Sequence, residues 1–357
     1  MFHECYLSAP AARDFGQFVW QFHRSVAVRC GRVGLNIVVS GVIVALCSLV
    51  LVTASGAAEP DRLAKALEDV EHSLAHRYQA RDDRGKPLDC LNPCQASEGN
   101  LLGVYHFLDG GVFKLALAES DNGLQWRRIR QLDTHASQGH LHAMSDGRFL
   151  LAYEKDAPNS CWIRLEEFKD LESLRSGEPN RSIDLTRSLA PTAEGTPMID
   201  RVDQAGSRQV IDLRLHYYRD AQVDRLARGQ LVDFQQWTAK PDPALNRDFT
   251  NRGARGNFGS RDLFRWSGGE LLLQEIQLRP QDWAAWRVYL CERDGEPIRQ
   301  LDIRTHGHSK SFANPHAERV TLAGGQQAIL VTLFLPSQGA APGEAGELIY
   351  LVRDPGQ

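Results

Sequence analysis

Apolar and polar positions alternate in short runs along most of this chain, and glycine-containing turns separate the runs. The stretch 113–154 sets the pattern: FKLALAES, a DNG turn, WRRIRQL, a polar DTHASQG segment, HLHAM, an Asp146-Gly147 turn and FLLAYE. Asn-Gly and Asp-Gly between such runs signal hairpins, because a tight two-residue turn needs positive φ. Much of the chain repeats the scheme. AWRVYLCERDGEPIRQLDI (285–303) echoes the first half, down to a shared IRQLD. RDLFRWSGGELLLQE (261–275) and AERVTLAGGQQAILVTLF (317–334) echo the hairpin. A repeat of roughly 50 residues holding about four short strands is the pattern of a β-propeller blade.

Five blades fit. The first takes LLGVYHF (101–107), FKLALAES and WRRIRQL, with no clear innermost strand. The second starts at HLHAM (140–144), has CWIRLEEF (161–168) as its third strand and closes near Ile183. The third starts at TPMIDRV (196–202) and continues through QVIDLRLHYY (209–218). The fourth starts at DLFRW (262–266), and the fifth runs from AERVTL to LIYLVRD (348–354). The last blade shows only three strands, so its outer strand is expected from the segment before Leu101, joining the two ends of the chain. In that segment, PDRLAKALEDVEHSLAHRYQ (60–79) carries Leu63, Leu67, Val70 and Leu74 at helical steps, with Pro60 near the start. It reads as an amphipathic helix, and 80–100 as a Pro/Gly/Asp-rich loop. The expected fold is all-β: a five-bladed propeller over 101–357, preceded by a helix and loop over 59–100.

Residues 1–58 read differently. VGLNIVVSGVIVALCSLVLV (33–52) has no charge and is long enough to span a bilayer. Arg24, Arg29 and Arg32 precede it, and small residues follow it up to Ala57 and Ala58. A cleaved secretory signal is favoured over an uncleaved anchor, and either places the body outside the cytoplasm, in the periplasm or beyond. Contact with a membrane is expected only through this segment, if it is uncleaved. The 357-residue chain is otherwise ordinary for a globular protein, at 42% hydrophobic and 24% charged. Its net charge of −4, without a dense basic patch, argues against a nucleic-acid partner. Four of the seven cysteines, Cys90, Cys94, Cys161 and Cys291, lie beyond the leader. In an exported domain they permit two disulfides, with Cys90–Cys94 as a local clasp and Cys161–Cys291 as the remainder.

In a propeller the innermost strands line a central channel, so polar residues entering them converge on one funnel. Blade two offers His135, Gln138, His140 and His142, and blade three offers Glu194 between the small residues Ala193 and Gly195. Blade four offers Arg261 and Asp262, and blade five His306, His308, Ser311, Asn314 and His316. A walled carboxylic acid has a raised pKa and can protonate a leaving oxygen, which suits Glu194. Asp262, beside Arg261, is expected to stay ionised. Such a pair is what glycoside hydrolysis uses. The bland reading of each carboxylate is a bond that stabilises the channel. The histidines could hold a metal ion or a sugar, but HxH on a strand also arises by chance, C-x-x-x-C at Cys90–Cys94 is not a zinc spacing, and neither metal nor cofactor is assigned.

SDNGLQW (120–126) resembles the S-x-D-G-x-x-W turn of glycan-processing propellers, with Asn122 in the usual Asp place. Its expected role is the turn itself, with Trp126 packed between blades. Together with five blades and carboxylates entering successive first strands, it makes the chain similar to the arabinanase, β-xylosidase and invertase clan of glycoside hydrolases. The resemblance implies a first-blade Asp as base, a middle-blade Asp that tunes, and a following Glu as acid. Here the middle position carries Glu194, the next carries Asp262, and Asp82, Asp83 and Asp89 precede the first blade without a clear place. The leading expectation is a glycan bound, and in the enzymatic form hydrolysed, at the channel mouth. Glu194 and Asp262 would be the catalytic carboxylates, and Gln138, His140, Arg261 and Asn314 would hold the ligand. The alternative is a non-catalytic glycan- or partner-binding propeller. Less favoured is a lyase using His140 and Tyr217.

Overall fold

A computed structural model describes residues 59–96, 101–219, 223–266, 269–322 and 325–355. The apolar stretch 33–52 and the rest of the leader lie outside them. Among the described residues no helix is long and apolar enough to cross a membrane.

The helix α1 (Glu59–Glu68) and the short strand β1 (Ala75–Arg77) precede the blades. Blade one is β2 (Asp89–Gln95), β3 (Leu101–Asp109), β4 (Val112–Ser120) and β5 (Arg127–Thr134). Blade two is β6 (Ala136–Ala143), β7 (Phe149–Ala157), β8 (Ser160–Phe168) and, after the short helix α2 (Leu171–Ser176), β9 (Arg181–Asp184). Blade three is β10 (Glu194–Ala205), β11 (Arg208–Arg219), β12 (Val223–Val232) and β13 (Gln236–Pro241). The helix α3 (Pro243–Asn251) leads to blade four. Its strands are β14 (Phe258–Trp266), β15 (Gly269–Gln277), β16 (Trp286–Glu292) and β17 (Pro297–Gln300). Blade five is β18 (Ala313–Thr321), β19 (Gln327–Leu335), β20 (Gly346–Arg353) and finally β1.

The ring is closed by the chain's own start. β1 pairs antiparallel with β20, Ala75 opposite Leu351 and Arg77 opposite Ile349. This is the outer strand that the three visible strands of blade five call for. The expected helix 60–79 is correspondingly shorter. Leu63, Ala64, Leu67 and Val70 are buried against the cores of blades four and five. Beyond them the chain turns, with the Ser73 hydroxyl donating to the Val70 carbonyl (2.8 Å), and Leu74 is exposed. Helical spacing read from the sequence ran past the point where pairing with β20 replaces helical hydrogen bonds.

The missing innermost strand of blade one lies within the expected loop. Asp89–Gln95, DCLNPCQ, is β2, and Pro93 sits within it. A proline argues against a central strand in sequence, but an innermost strand has a ladder on one side only, so one missing N–H is tolerated. This placement also removes the expected disulfides. All four cysteines are free. Cys90 and Cys94 are four residues apart on one strand, roughly 10–13 Å, whereas a disulfide needs Cα atoms within about 7 Å. Cys161 lies on β8 of blade two and Cys291 on β16 of blade four.

The 120–126 turn does what its residues suggest. Leu124 and Gln125 N–H groups donate to Asn122 Oδ1 (3.0 and 2.9 Å), and Trp126 Nε1 donates to the Gly123 carbonyl (2.9 Å). The indole is buried with Leu91, Leu330 and Leu351, between blades one and five. Gly103 lacks a side chain because a Cβ there would strike Trp126 and Leu91.

Candidate functional site

All five innermost strands carry the same irregularity where they begin. Their register with the second strand slips between Asp89 and Asn92, Ser137 and His140, Gly195 and Met198, Phe258 and Arg261, and Ala313 and His316. Each slip is a β-bulge, a device that bends a strand and re-aims its residues. In four of them the bulged residue is non-glycine with positive φ: Cys90, Gln138, Thr196 and Asn314. Such a conformation is costly for a non-glycine residue and needs support from its surroundings.

The support comes from the preceding blade. The Cys90 N–H donates to Glu347 Oε2 (2.9 Å), and Leu91 N–H donates to the other oxygen (3.2 Å). Gln138 N–H donates to His106 Nδ1 (3.3 Å). Both the N–H and the hydroxyl of Thr196 donate to Glu154 Oε1, and Asn314 N–H donates to Glu275 Oε2. The blade-four bulge breaks the pattern. It contains Gly259 and Ser260, no residue of positive φ, and the Ser260 N–H turns to Glu275 of its own blade (2.5 Å).

At the blade three–four junction the position that carries His106 in blade one and Glu154 in blade two is held by His216, opposite Gly195. Its Nε2 lies 4.0 Å from Glu154 Oε1 and 3.9 Å from Asp224 Oδ1, and its Nδ1 is buried without a partner. Burial, and then the charge of Arg261, push the imidazole down to about 3, so it is neutral. Burial and the charges of Glu154 and Glu275 push Asp224 up to about 7, against an opposing pull from Arg225 and Arg261. Asp89, at the start of the blade-one bulge, is raised to about 6 by burial, against the charge of Arg81. Burial also raises Glu154, Glu275 and Glu347, partly countered by the amides they accept. The mouth thus gathers one carboxyl from each blade: Asp89, Glu154, Asp224, Glu275 and Glu347. Three are committed to bulge amides. Among the described residues, no hydrogen bond engages the side-chain carboxyl of Asp89 or Asp224.

Below the mouth a second layer fills the channel. Asn92 Oδ1 accepts from Leu141 N–H (2.8 Å), His140 Nδ1 from Ile199 N–H (3.4 Å) and Asp262 Oδ2 from Ala317 N–H (2.9 Å). His140 Nε2 lies 3.3 Å from Asp262 Oδ1, and His316 Nδ1 lies 3.8 Å from its other oxygen. Burial alone would raise the Asp262 carboxyl, but the two imidazoles outweigh it and hold the group at about 2.

The residues singled out from the sequence divide accordingly. Asp262 is ionised, but its partners are His140 and His316. Arg261 instead enters a cavity of about 10 Å³ between blades three and four with Arg214 and Gln274, where its Nε and Nη1 have no partner. Glu194 is 3% exposed, and its Oε1 accepts the N–H groups of Ser188 (2.6 Å), Leu189 and Ala190 (3.2 Å). It holds the loop before its strand. Gly195 is small to admit the Glu154 carboxylate, which a Cβ would strike. Gln138 Nε2 reaches Cys90 Sγ (3.8 Å), and Asn314 Oδ1 is buried and unpaired. The histidines do not form one cluster: His306 stacks on His76 on the outer side (centroids 4.5 Å), and His135 faces Asp156 (3.6 Å). Tyr217 packs in the blade-three core. Sequence reasoning missed Glu154, His216, Asp224, Glu275 and Glu347. The available signal was a lone His or Glu near the mouth end of an apolar second strand, as in LLGVYH, FLLAYE and LLLQE.

No family model matches the sequence, and no curated protein does. Solved structures do. BT0996, solved as an RGII complex, aligns at a TM-score of 0.54 and 12% identity, over 82% of this protein and 94% of that one. A thermostable family-43 glycoside hydrolase aligns at 0.49 and 10% identity, over 77% and 92%. Penicillium chrysogenum alpha-L-arabinanase complexed with arabinobiose aligns at 0.45 and 15% identity, over 77% and 88%. The protein is similar in fold to the first of these, and an identity of 12% speaks to fold alone.

Proposed function

We propose that this propeller binds a glycan at the channel mouth and hydrolyses it, with Asp224 as acid and Asp89 as base. The observation that carries the reading is the exception at the blade three–four junction. Where four bulges are tied to the preceding blade, this one leaves a buried carboxyl, Asp224, without a hydrogen bond, next to an imidazole whose Nδ1 has no partner. A break in a repeated local rule marks a functional or strained site. Asp89 begins the innermost strand of blade one, and the resemblance to the arabinanase clan calls for a first-blade Asp as base. Asp224, held near neutrality, gives its proton to the leaving oxygen, and Asp89, ionised above about pH 6, takes one from the attacking water. Glu194 and Asp262 then act structurally, one holding a loop and the other the channel layer. Export of the body, read from residues 33–52, belongs to the same proposal.

The test is a glycan panel followed by three variants. With a substrate in hand, Asp224→Asn and Asp89→Asn should each lower turnover by about 10²–10⁴ while affinity is kept. Glu194→Gln should leave turnover within a few fold. The wild-type kcat/KM should peak between the two carboxyl values, near pH 6–7. Loss of turnover in Glu194→Gln with activity intact in Asp224→Asn would return the acid to Glu194. Binding without turnover in the wild type would make this a binding propeller.

A further inference from the structure

We infer that the cavity between blades three and four is a binding site for a monatomic anion, chloride, which joins the two blades through Arg261. The site does not depend on the glycan reading. Arg214 and Arg228 stand directly opposite each other on β11 and β12, and Arg261 lines the same cavity from β14. Like charges opposite one another on neighbouring strands repel, so three guanidiniums gathered here call for counter-charge. Two of them have it. Arg214 Nε donates to Asp200 Oδ1 (3.1 Å), and Arg228 Nε donates to Asp242 Oδ2 (2.7 Å).

Arg261 does not. It is 3% exposed, and among the described residues no ion pair engages it. Its Nη2 donates to the Gly259 carbonyl, whereas Nε and Nη1 are buried without a partner. Burial lowers the guanidinium to about 9, against the charge of Glu275, so at neutral pH it is still a cation. The carboxyls that act on it from a distance are poor counter-ions. Glu275 accepts the Ser260 and Asn314 N–H groups, and burial pushes both Glu275 and Asp224 toward the neutral form. A buried cation left in this way is costly unless an anion lies against it.

The size of the cavity selects the anion. At about 10 Å³ it has room for one water-sized group, too little for a carboxylate, a phosphate or a sugar. Leu226 and Leu245 complete a wall that suits a weakly hydrated halide. A water would serve Arg261 and the unpaired Oε1 of Gln274 together, but it would leave the charge unbalanced.

Thermal unfolding at constant ionic strength, with sodium chloride exchanged for sodium gluconate, tests this together with the anomalous signal of crystals soaked in sodium bromide. The melting temperature should rise by about 2–4 °C for each tenfold increase in chloride beyond half-saturation, and bromide should replace chloride. One bromide peak should lie against Arg261 Nε and Nη1. Arg261→Met, of similar length and without charge, should lose both the halide response and the peak. Should that variant fail to fold, the wild-type response and the peak decide alone, and both are required. Equal melting in chloride and gluconate, or no peak in the cavity, overturns the inference and gives the cavity to water. A halide response that persists in Arg261→Met places the anion elsewhere and overturns it as well. None of these outcomes bears on the glycan panel, and a silent panel leaves the anion site standing.

Discussion

Four junctions between blades and a fifth that departs from them divide the mouth into scaffold and site. At the blade five–one, one–two, two–three and four–five junctions, a Glu or His of one blade holds the strained amide of the next. At the three–four junction the bulge has no positive-φ residue to hold, and the side chain at the supporting position, His216, makes no such bond. The same strand geometry thus serves two ends. Where a carboxylate is consumed by an amide, it fixes the ring. Where no strained amide makes that demand, the nearby carboxyl, Asp224, keeps no hydrogen bond, and the proposed function rests on that difference. On that proposal, a buried carboxyl in a propeller mouth is not by itself a catalytic group, and the bulge beside it separates the two uses.

Removing a support should break that distinction most plainly. Glu275→Ala leaves two buried amides, Ser260 and Asn314, without an acceptor. At about 1–3 kcal/mol for each orphaned donor, the loss should be roughly 2–6 kcal/mol in urea denaturation. His216→Leu, at the junction without a supported amide, should cost less than about 1.5 kcal/mol, as a near volume-conserving change. Equal costs would mean the junctions do not differ in kind.

A second pair of variants reaches the supports indirectly. A Cβ at Gly195 would strike the Glu154 carboxylate, and one at Gly259 would strike that of Glu275. Gly195→Ala and Gly259→Ala should each cost about 1–3 kcal/mol, the range of an overpacked core. Gly206→Ala, in open space at a turn, serves as the control for backbone strain alone, since its φ is positive.

How much of this could be read from the residues depends on which physics sets each feature. Strands from Leu101 onward declare themselves because apolar alternation and Asn-Gly or Asp-Gly turns are local signals. β2 does not, because DCLNPCQ buries both faces and carries a proline that its one-sided ladder tolerates. The helix was overextended because Leu74 continues the spacing while β20 captures the backbone. Ring closure could be inferred from a missing strand, though its residues could not. Positions entering the first strands were found, but their roles were not. Glu194 and Glu154 look alike in sequence, and only the amides placed against them in three dimensions separate one use from another. Asp224 was invisible for a related reason: it begins a third strand, and the funnel takes it in only after the sheet has folded.

Titration should separate the two layers of the channel by opposite signs. The Asp224 carboxyl is raised from its ordinary 3.8 to about 7 in the folded state. Between these values the folded state holds a proton that the unfolded chain has lost, so its contribution to stability is full below about pH 4 and lost as pH rises through 7. Asp224→Asn should therefore gain on the wild type across that window, most at pH 8. Asp262 is the reverse. Its folded value of about 2 lies below 3.8, so its contribution is present above pH 4 and is lost as pH falls toward 2. Asp262→Asn should be the less stable protein at pH 7 and approach the wild type near pH 2. Parallel pH curves for the two variants would show that the mouth and the layer beneath it are not electrostatically distinct.

The smallest expected effect is none at all, and it bears on the five–one junction. Cys90 holds the left-handed bulge position there, and its N–H is taken by Glu347. Cys94 lies four residues on along the same strand, too far for a bond without dismantling the bulge. Reduction should therefore leave the melting temperature unchanged, and the unfolded, unreduced protein should titrate thiols at Cys90, Cys94, Cys161 and Cys291. A disulfide commonly contributes about 2–4 kcal/mol, so even one would lower the melting temperature measurably on reduction. If reduction lowers it and the Cys90 and Cys94 thiols are absent from the titration, β2 cannot have the extended form that the Glu347 support requires. The five–one junction would then join the three–four junction as an exception, and the contrast between scaffold and site would have to be drawn elsewhere.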